Sequence, residues 1–190
     1  MFGVLALQGA FAKHVDALQS CGVDAIEVRT EAQLASVDAL VIPGGESTTM
    51  SKLLVSQGLA EPLRARLDSG LPVLGTCAGM ILLASEIIDA RSGQFSFNRI
   101  DLAVERNGYG RQIASFETDL DIEGLDAPFR AVFIRAPKVQ RVGPDVDVLA
   151  EVDGVPVLCR SGQTMVASFH PELTADTRLH GLFIESVVRA

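Results

Sequence analysis

Cys77, His170 and Glu172 are the residues of this chain whose types and settings could do chemistry together. Cys77 lies in Leu74-Gly75-Thr76-Cys77-Ala78-Gly79-Met80, after the apolar run Leu71 to Leu74 and before the apolar stretch Met80 to Ile88. That order predicts a buried strand, a sharp turn and a buried helix, with the thiol at the bend. Glycines two residues before and two after it let backbone pass close on both sides, as in the nucleophile elbow of hydrolases. The start of a helix carries partial positive charge, which favours a thiolate.

A cysteine nucleophile needs a base, and the base needs an orienting group. Ser168-Phe169-His170-Pro171-Glu172 offers both. His170 follows an apolar strand, Met165 to Phe169, and should emerge at its end. In extended backbone, residues i and i+2 point the same way about 6.5–7 Å apart, so Glu172 would reach the His170 ring. Pro171 stiffens the link. Cys21 and Cys159 read as structural thiols.

A third element, Pro43-Gly44-Gly45-Glu46-Ser47-Thr48-Thr49, follows an apolar strand. Its plain reading is a strand-to-helix loop with a Ser or Thr cap. A phosphate loop is disfavoured because GxxxxGK[ST] is absent. The functional reading is an oxyanion hole formed by the Gly45 and Ala78 N–H groups. Such donors stabilise a tetrahedral intermediate by about 3–4 kcal/mol each.

The elements that must position these groups follow from the hydrophobic pattern. Strands are predicted at Val4 to Gln8, Ala25 to Arg29, Ala39 to Ile42 and from Pro72 to the elbow. Helices are predicted at Phe11 to Cys21, closed by Gly22, and at Thr48 to Arg66 with a break near Gly58. This alternation implies a parallel sheet covered by helices on both faces. Beyond residue 100 the strand-like runs are Leu102 to Glu105, Ile113 to Thr118, Ala131 to Ile134, Val146 to Val152, Val155 to Arg160 and Met165 to Phe169. Asp153-Gly154 reads as a hairpin turn, and Thr174 to Arg189 as a closing helix. The expectation is one mixed α/β domain over residues 1–190.

The 190 residues are 48% hydrophobic with mean hydropathy +0.30, suited to a buried parallel sheet. Net charge is −8, from 16 basic and 24 acidic residues. The acidic balance and the lack of a basic stripe argue against nucleic-acid binding. No apolar run reaches the roughly 18 residues of a membrane span. The amino terminus reads as a strand rather than a signal peptide, so a cytoplasmic location is the expectation. Three cysteines without CxxC spacing, and three histidines without helical pairing, suggest neither a disulfide framework nor a metal site.

Together these segments resemble class I, triad-type glutamine amidotransferases, and within them the glutaminase subunits of pyridoxal 5′-phosphate (PLP) synthase. The resemblance runs nearly end to end. It is carried by Gly3 to Ala10, Pro43 to Thr49, Gly75 to Ala84, Arg106-Asn107-Gly108-Tyr109-Gly110-Arg111-Gln112, Phe133-Ile134-Arg135-Ala136-Pro137 and Phe169 to Thr174. The cysteine elbow and the His-x-Glu pair mark only the broad class; the other segments are more specific to the vitamin B6 branch.

The resemblance implies a single flavodoxin-like domain with a mixed, mainly parallel sheet. It makes Cys77 the nucleophile, His170 the base and Glu172 its orienter. It assigns Gly45, Glu46, Ser47, Arg106, Ile134 and Arg135 to L-glutamine binding. An arginine is suited to clamp the α-carboxylate of glutamine. No cofactor or metal is implied, PLP being the product of the whole synthase. The implied partner is a (β/α)8-barrel synthase subunit that receives ammonia directly, and the helix carrying Lys13 and His14 is a candidate contact surface. Ser96 to Arg99 is expected to be a surface connection. The alternatives are a glutaminase subunit of another ammonia-channelling synthase, or a non-enzymatic flavodoxin-like binding module.

Overall fold

The computed structural model describes residues 1–108 and 115–188. Its first half alternates strand and helix: β1 (Phe2–Leu5), α1 (Phe11–Ser20), β2 (Ala25–Val28), α2 (Glu31–Ala35), β3 (Ala39–Ile42), α3 (Ser47–Ser56), α4 (Ala60–Asp68), β4 (Val73–Thr76) and α5 (Ala78–Leu83). Strands dominate the second half: β5 (Ala84–Ile87), β6 (Ile100–Glu105), β7 (Ser115–Leu120), β8 (Phe129–Ile134), β9 (Lys138–Val142), β10 (Asp147–Val152), β11 (Val155–Ser161) and β12 (Thr164–Ala167). A 3-10 turn at Pro171–Leu173 and helix α6 (Arg178–Val188) follow.

Among the described residues, seven strands form the main sheet in the order β10-β11-β12-β4-β3-β1-β2. The five strands from β12 to β2 are parallel, and β10 and β11 extend the sheet antiparallel. The central strands β1, β3, β4 and β12 are buried throughout, so their alternate residues feed two cores. Leu5, Leu40, Ile42 and Val73 pack against α2 to α5 on one face. Val4, Val41 and Leu74 join Phe129, Phe133, Phe169, Leu179 and Phe183 on the other. Burial on both faces is what makes these strands continuous apolar runs.

Two outlying ladders complete the fold. Strands β5 and β6 pair parallel and β6 and β9 antiparallel, while β7 and β8 form an antiparallel pair. The Asp153-Gly154 turn joins β10 to β11 with both residues at positive φ (50° and 74°), as a two-residue hairpin turn requires.

Several sequence expectations shift. The predicted strand Val4 to Gln8 is Phe2–Leu5, which frees Gln8 and Gly9 for a loop. The apolar stretch Met80 to Ile88 is not one helix: α5 ends at Leu83, and Ala84–Ile87 pairs with β6. A run apolar except for Ser85 and Glu86 carries too little period to separate helix from strand, and the partner strand decided it. The short helix α2 is not among the elements expected from sequence, although Thr30 and Gln33 form a capping box. Helix α6 starts only at Arg178, and β9 was unforeseen. Ser96 to Arg99 is not merely surface, because Phe97 is buried in the core and its N–H donates to the Leu82 carbonyl. Residues 113–114 of one predicted strand, and Arg189, lie outside the described residues.

Candidate active site

The carboxyl ends of β3, β4 and β12 meet at one place, the side of a parallel sheet where ligands collect. Strands β4 and β12 are neighbours, with Thr76 in register with Ala167. Cys77 is one residue past β4 and His170 three past β12, so strand pairing alone brings them to the same crevice. The Cys77 N–H donates to the Ala167 carbonyl at 2.8 Å, and the His170 N–H to the Val132 carbonyl of β8 at 2.8 Å.

Cys77 has φ 49° and ψ −102°, a conformation L-residues seldom adopt. The bend delivers the thiol to the start of α5, where Ala78 is fully buried. Close packing explains the flanking glycines. A Cβ on Gly79 would collide with the Ile42 carbonyl, and one on Gly75 would lie 2.7 Å from the Gly79 backbone. The sulfur itself lies 3.9 Å from the Ile134 carbonyl.

His170 Nδ1 is 2.8 Å from Glu172 Oε1, which leaves Nε2 for the sulfur. The connection is not the extended backbone expected from sequence: Pro171–Leu173 forms a 3-10 turn, and the short His-Pro-Glu link still brings carboxylate and ring together. Burial disfavours charge on His170, but Cys77 and Glu172 beside it outweigh burial and raise its pKa to about 10. Burial likewise works against the Glu172 carboxylate, yet His14 and His170 hold its pKa well below the usual range. The arrangement therefore favours a protonated imidazole between the Glu172 carboxylate and the Cys77 sulfur.

The loop after β3 closes one wall. A Cβ on Gly44 would run into the His170 ring and reach Cys77 Cβ at 3.3 Å, so only glycine fits. Gly45, at φ 154°, lines the same crevice facing Gln8 Oε1. Glu46, not a Ser or Thr, caps α3: its carboxylate accepts from the Thr48 N–H at 3.1 Å and the Thr49 N–H at 2.7 Å. Partial burial opposes that charge, but the bonds from Thr49 and Thr48 bring its pKa down to about 2.

A cleft of roughly 390 Å³ opens above the sulfur. Cys77, His170, Gly45, Glu46, Ser47 and Arg106 line it, and so do Ile134 and Arg135 at the mouth. Ala78 and Glu172 lie behind the wall, one as backbone and one bonded to His170. Every residue singled out from sequence for this site is thus in or directly behind one cleft. Tyr109 to Gln112, the rest of the Arg106 segment, lie outside the described residues.

Three features were not foreseen. Gln94 bridges the rim: its Nε2 donates to Ser47 Oγ at 2.8 Å, and its Oε1 accepts from Arg106 Nη1 at 3.2 Å. It comes from an irregular segment with no sequence signal. Arg91 and Asn107 add polar lining. His14 is fully buried rather than displayed, which removes it from the candidate contact surface; Lys13 alone is exposed. The period Phe11, His14, Val15, Leu18 on an otherwise polar helix was the available signal.

The SNO glutamine amidotransferase family model matches residues 4–189. The chain belongs to the SNO glutamine amidotransferase family. The pyridoxal 5′-phosphate synthase subunit PdxT of Mycobacteroides abscessus is 55% identical over 98% of this chain and 97% of its own. That of Mycolicibacterium vanbaalenii is 57% identical over 97% and 96%. A crystal structure of a glutamine amidotransferase superposes with a TM-score of 0.92 at 48% identity, covering 98% of each chain. A structure of PurLQS from Thermotoga maritima, at 14% identity and TM-score 0.66 over 99% of this chain and 95% of its own, shares the fold alone. No helix among the described residues is long and apolar enough to cross a membrane.

Proposed function

We propose that this member of the SNO family is the glutaminase subunit of a PLP synthase. It hydrolyses L-glutamine to L-glutamate and passes the ammonia to a (β/α)8-barrel synthase subunit in the cytoplasm. The single observation that carries the chemistry is His170, bonded to Glu172 on one side and facing Cys77 on the other at the floor of a cleft. The partner is inferred from the PdxT relatives, which match over nearly the whole chain.

In the resting site His170 holds the proton and the sulfur is the nucleophile. The Cys77 sulfur attacks the side-chain amide carbon, and the Gly45 and Ala78 N–H groups receive the developing oxyanion. The C–N bond breaks as nitrogen takes the His170 proton and leaves as ammonia, giving a glutamyl thioester. Water then attacks the thioester carbonyl, His170 takes its proton, and the S–C bond breaks to release glutamate and restore the starting pair. Arg106 and Arg135 attract the substrate α-carboxylate, with Glu46 beside them for the α-ammonium and Ser47 and Ile134 shaping the wall.

Ammonia released to bulk water is largely protonated and no longer nucleophilic, which is the chemical reason for a docked acceptor. The test is glutamate release by the purified chain with and without a PLP synthase barrel subunit, with Cys77→Ala as the blank. Barrel-dependent release lost in the variant supports the reading. Equal release by wild type and variant in the confirmed complex overturns it.

A further inference from the structure

Behind the triad lies a polar cluster that the reaction above does not use. Glu172 Oε2, the carboxylate oxygen turned away from His170, is buried 3.3 Å from His14 Nε2 of α1. The contact is an ion–dipole approach, and the oxygen has no hydrogen-bond partner among the described residues. The same nitrogen lies 3.3 Å from Thr76 Oγ1, at the end of β4 next to Cys77. On the far side of the ring, His14 Nδ1 is 2.9 Å from His180 Nε2 of α6. His14, Thr76 and His180 are all fully buried.

The charges choose the protons. A carboxylate facing the lone pair of His14 Nε2 would be repelled, so Nε2 carries the hydrogen, shared between Glu172 and Thr76. Nδ1 is then an acceptor, and His180 Nε2–H donates to it. Burial pushes the His180 pKa down to about 3, which keeps that ring neutral. The whole chain then reads Cys77, His170, Glu172, His14, His180, each group orienting the one before it.

We infer that His14 is a positioning residue for the glutaminase triad: its Nε2–H holds the second oxygen of Glu172, and His180 holds His14 in the tautomer that can do so. This rests on the triad reading above. A carboxylate anchored through one oxygen alone could rotate and release the His170 ring; anchoring the other removes that freedom. The device also ties α1 and α6, the two ends of the chain, to the reacting cysteine. The groups facing Glu172 are His170 on its own turn and His14 from α1, with His180 of α6 and the Thr76 hydroxyl of β4 against the His14 ring.

The test measures glutamine turnover over a range of pH by the full chain in complex with its barrel partner. His14→Leu should lower kcat by about 10- to 100-fold, the usual cost of losing such a supporting partner, with the glutamine KM within about twofold. Its acid limb should move to higher pH, because Glu172 loses a donor that favours the carboxylate. His14→Gln, whose amide can donate to Glu172 and accept from His180, should recover kcat to within about fivefold and restore the acid limb. Wild-type turnover in His14→Leu overturns this inference alone. So does His14→Gln as slow as His14→Leu with an unmoved acid limb, which would mean packing only. Should His14→Leu fail to fold, His180→Leu decides: a raised acid limb supports the inference and an unmoved one overturns it. A wild-type chain no faster than Cys77→Ala overturns the triad, and this inference with it.

Discussion

Cys77 and Cys159 are both buried thiols on neighbouring parts of one sheet, and only one is equipped to react. Cys159 sits within β11, in the antiparallel extension, where burial first and the Glu151 charge second push its pKa up to about 12. Cys77 stands one residue past the end of a parallel strand, at positive φ, beside His170 and open to a cleft. The comparison teaches that the element's end, not burial or residue type, sets the proposed nucleophile apart. Inside the strand, backbone bonding occupies the neighbourhood and the apolar core packs around the sulfur. Past the strand end, helix N–H groups and side chains from three loops converge on it.

The sharpest way to break that contrast is substitution. Cys77→Ala should lower glutamine hydrolysis in the synthase complex by about 10⁴-fold or more, while Cys159→Ala leaves turnover within about twofold in the same coupled assay. Equal losses would remove the distinction.

Thiol chemistry sharpens it next. Iodoacetamide followed by peptide mapping should label Cys77 at neutral pH and leave Cys159 unmodified until the pH approaches 12. His170→Ala should slow Cys77 labelling by about 10- to 100-fold, since the positive neighbour is gone. The sign for stability follows from the raised His170 pKa. Its contribution is fully present below the unfolded value of about 6.5 and is lost as pH rises through about 10. Urea midpoints of wild type and His170→Ala should therefore converge above that pH.

The rim should respond in binding more than in rate. Arg106 is nearly buried, bonded to Gln94 and 3.7 Å from Glu46. Arg106→Leu should raise the glutamine KM by about 10- to 100-fold, the worth of one charge-assisted contact, with a smaller change in kcat. A kcat loss without a KM change would place Arg106 in chemistry instead.

The smallest effect belongs to the helix cap. Glu46→Ala should cost about 1 kcal/mol in urea unfolding, towards the low end for caps because the carboxylate is half exposed. Its pKa is depressed, so this contribution is present above about 4.5 and disappears as pH falls through about 2. The wild-type and variant midpoints should meet in acid.

Sequence determined a good deal. The proposed nucleophile and its proposed base–carboxylate pair were legible because a turn between two apolar runs and a His-Pro-Glu after a strand are local patterns, set by residues within a few positions. The parallel alternation of the first half was legible for the same reason. Period is a local property of the chain.

What the tertiary structure decided is long-range. Pairing of β12 with β4 brought His170 to Cys77 across 93 residues of chain, and no spacing in the sequence encodes that register. The packing of α1 under the 3-10 turn turned His14 from an expected surface residue into a buried neighbour of Glu172. Gln94 reached Ser47 and Arg106 only because an irregular segment folds over the rim. Ala84–Ile87 became a strand because β6 lay beside it. In each case the deciding free energy comes from a partner distant in sequence, through strand hydrogen bonds or burial, which local propensity does not contain.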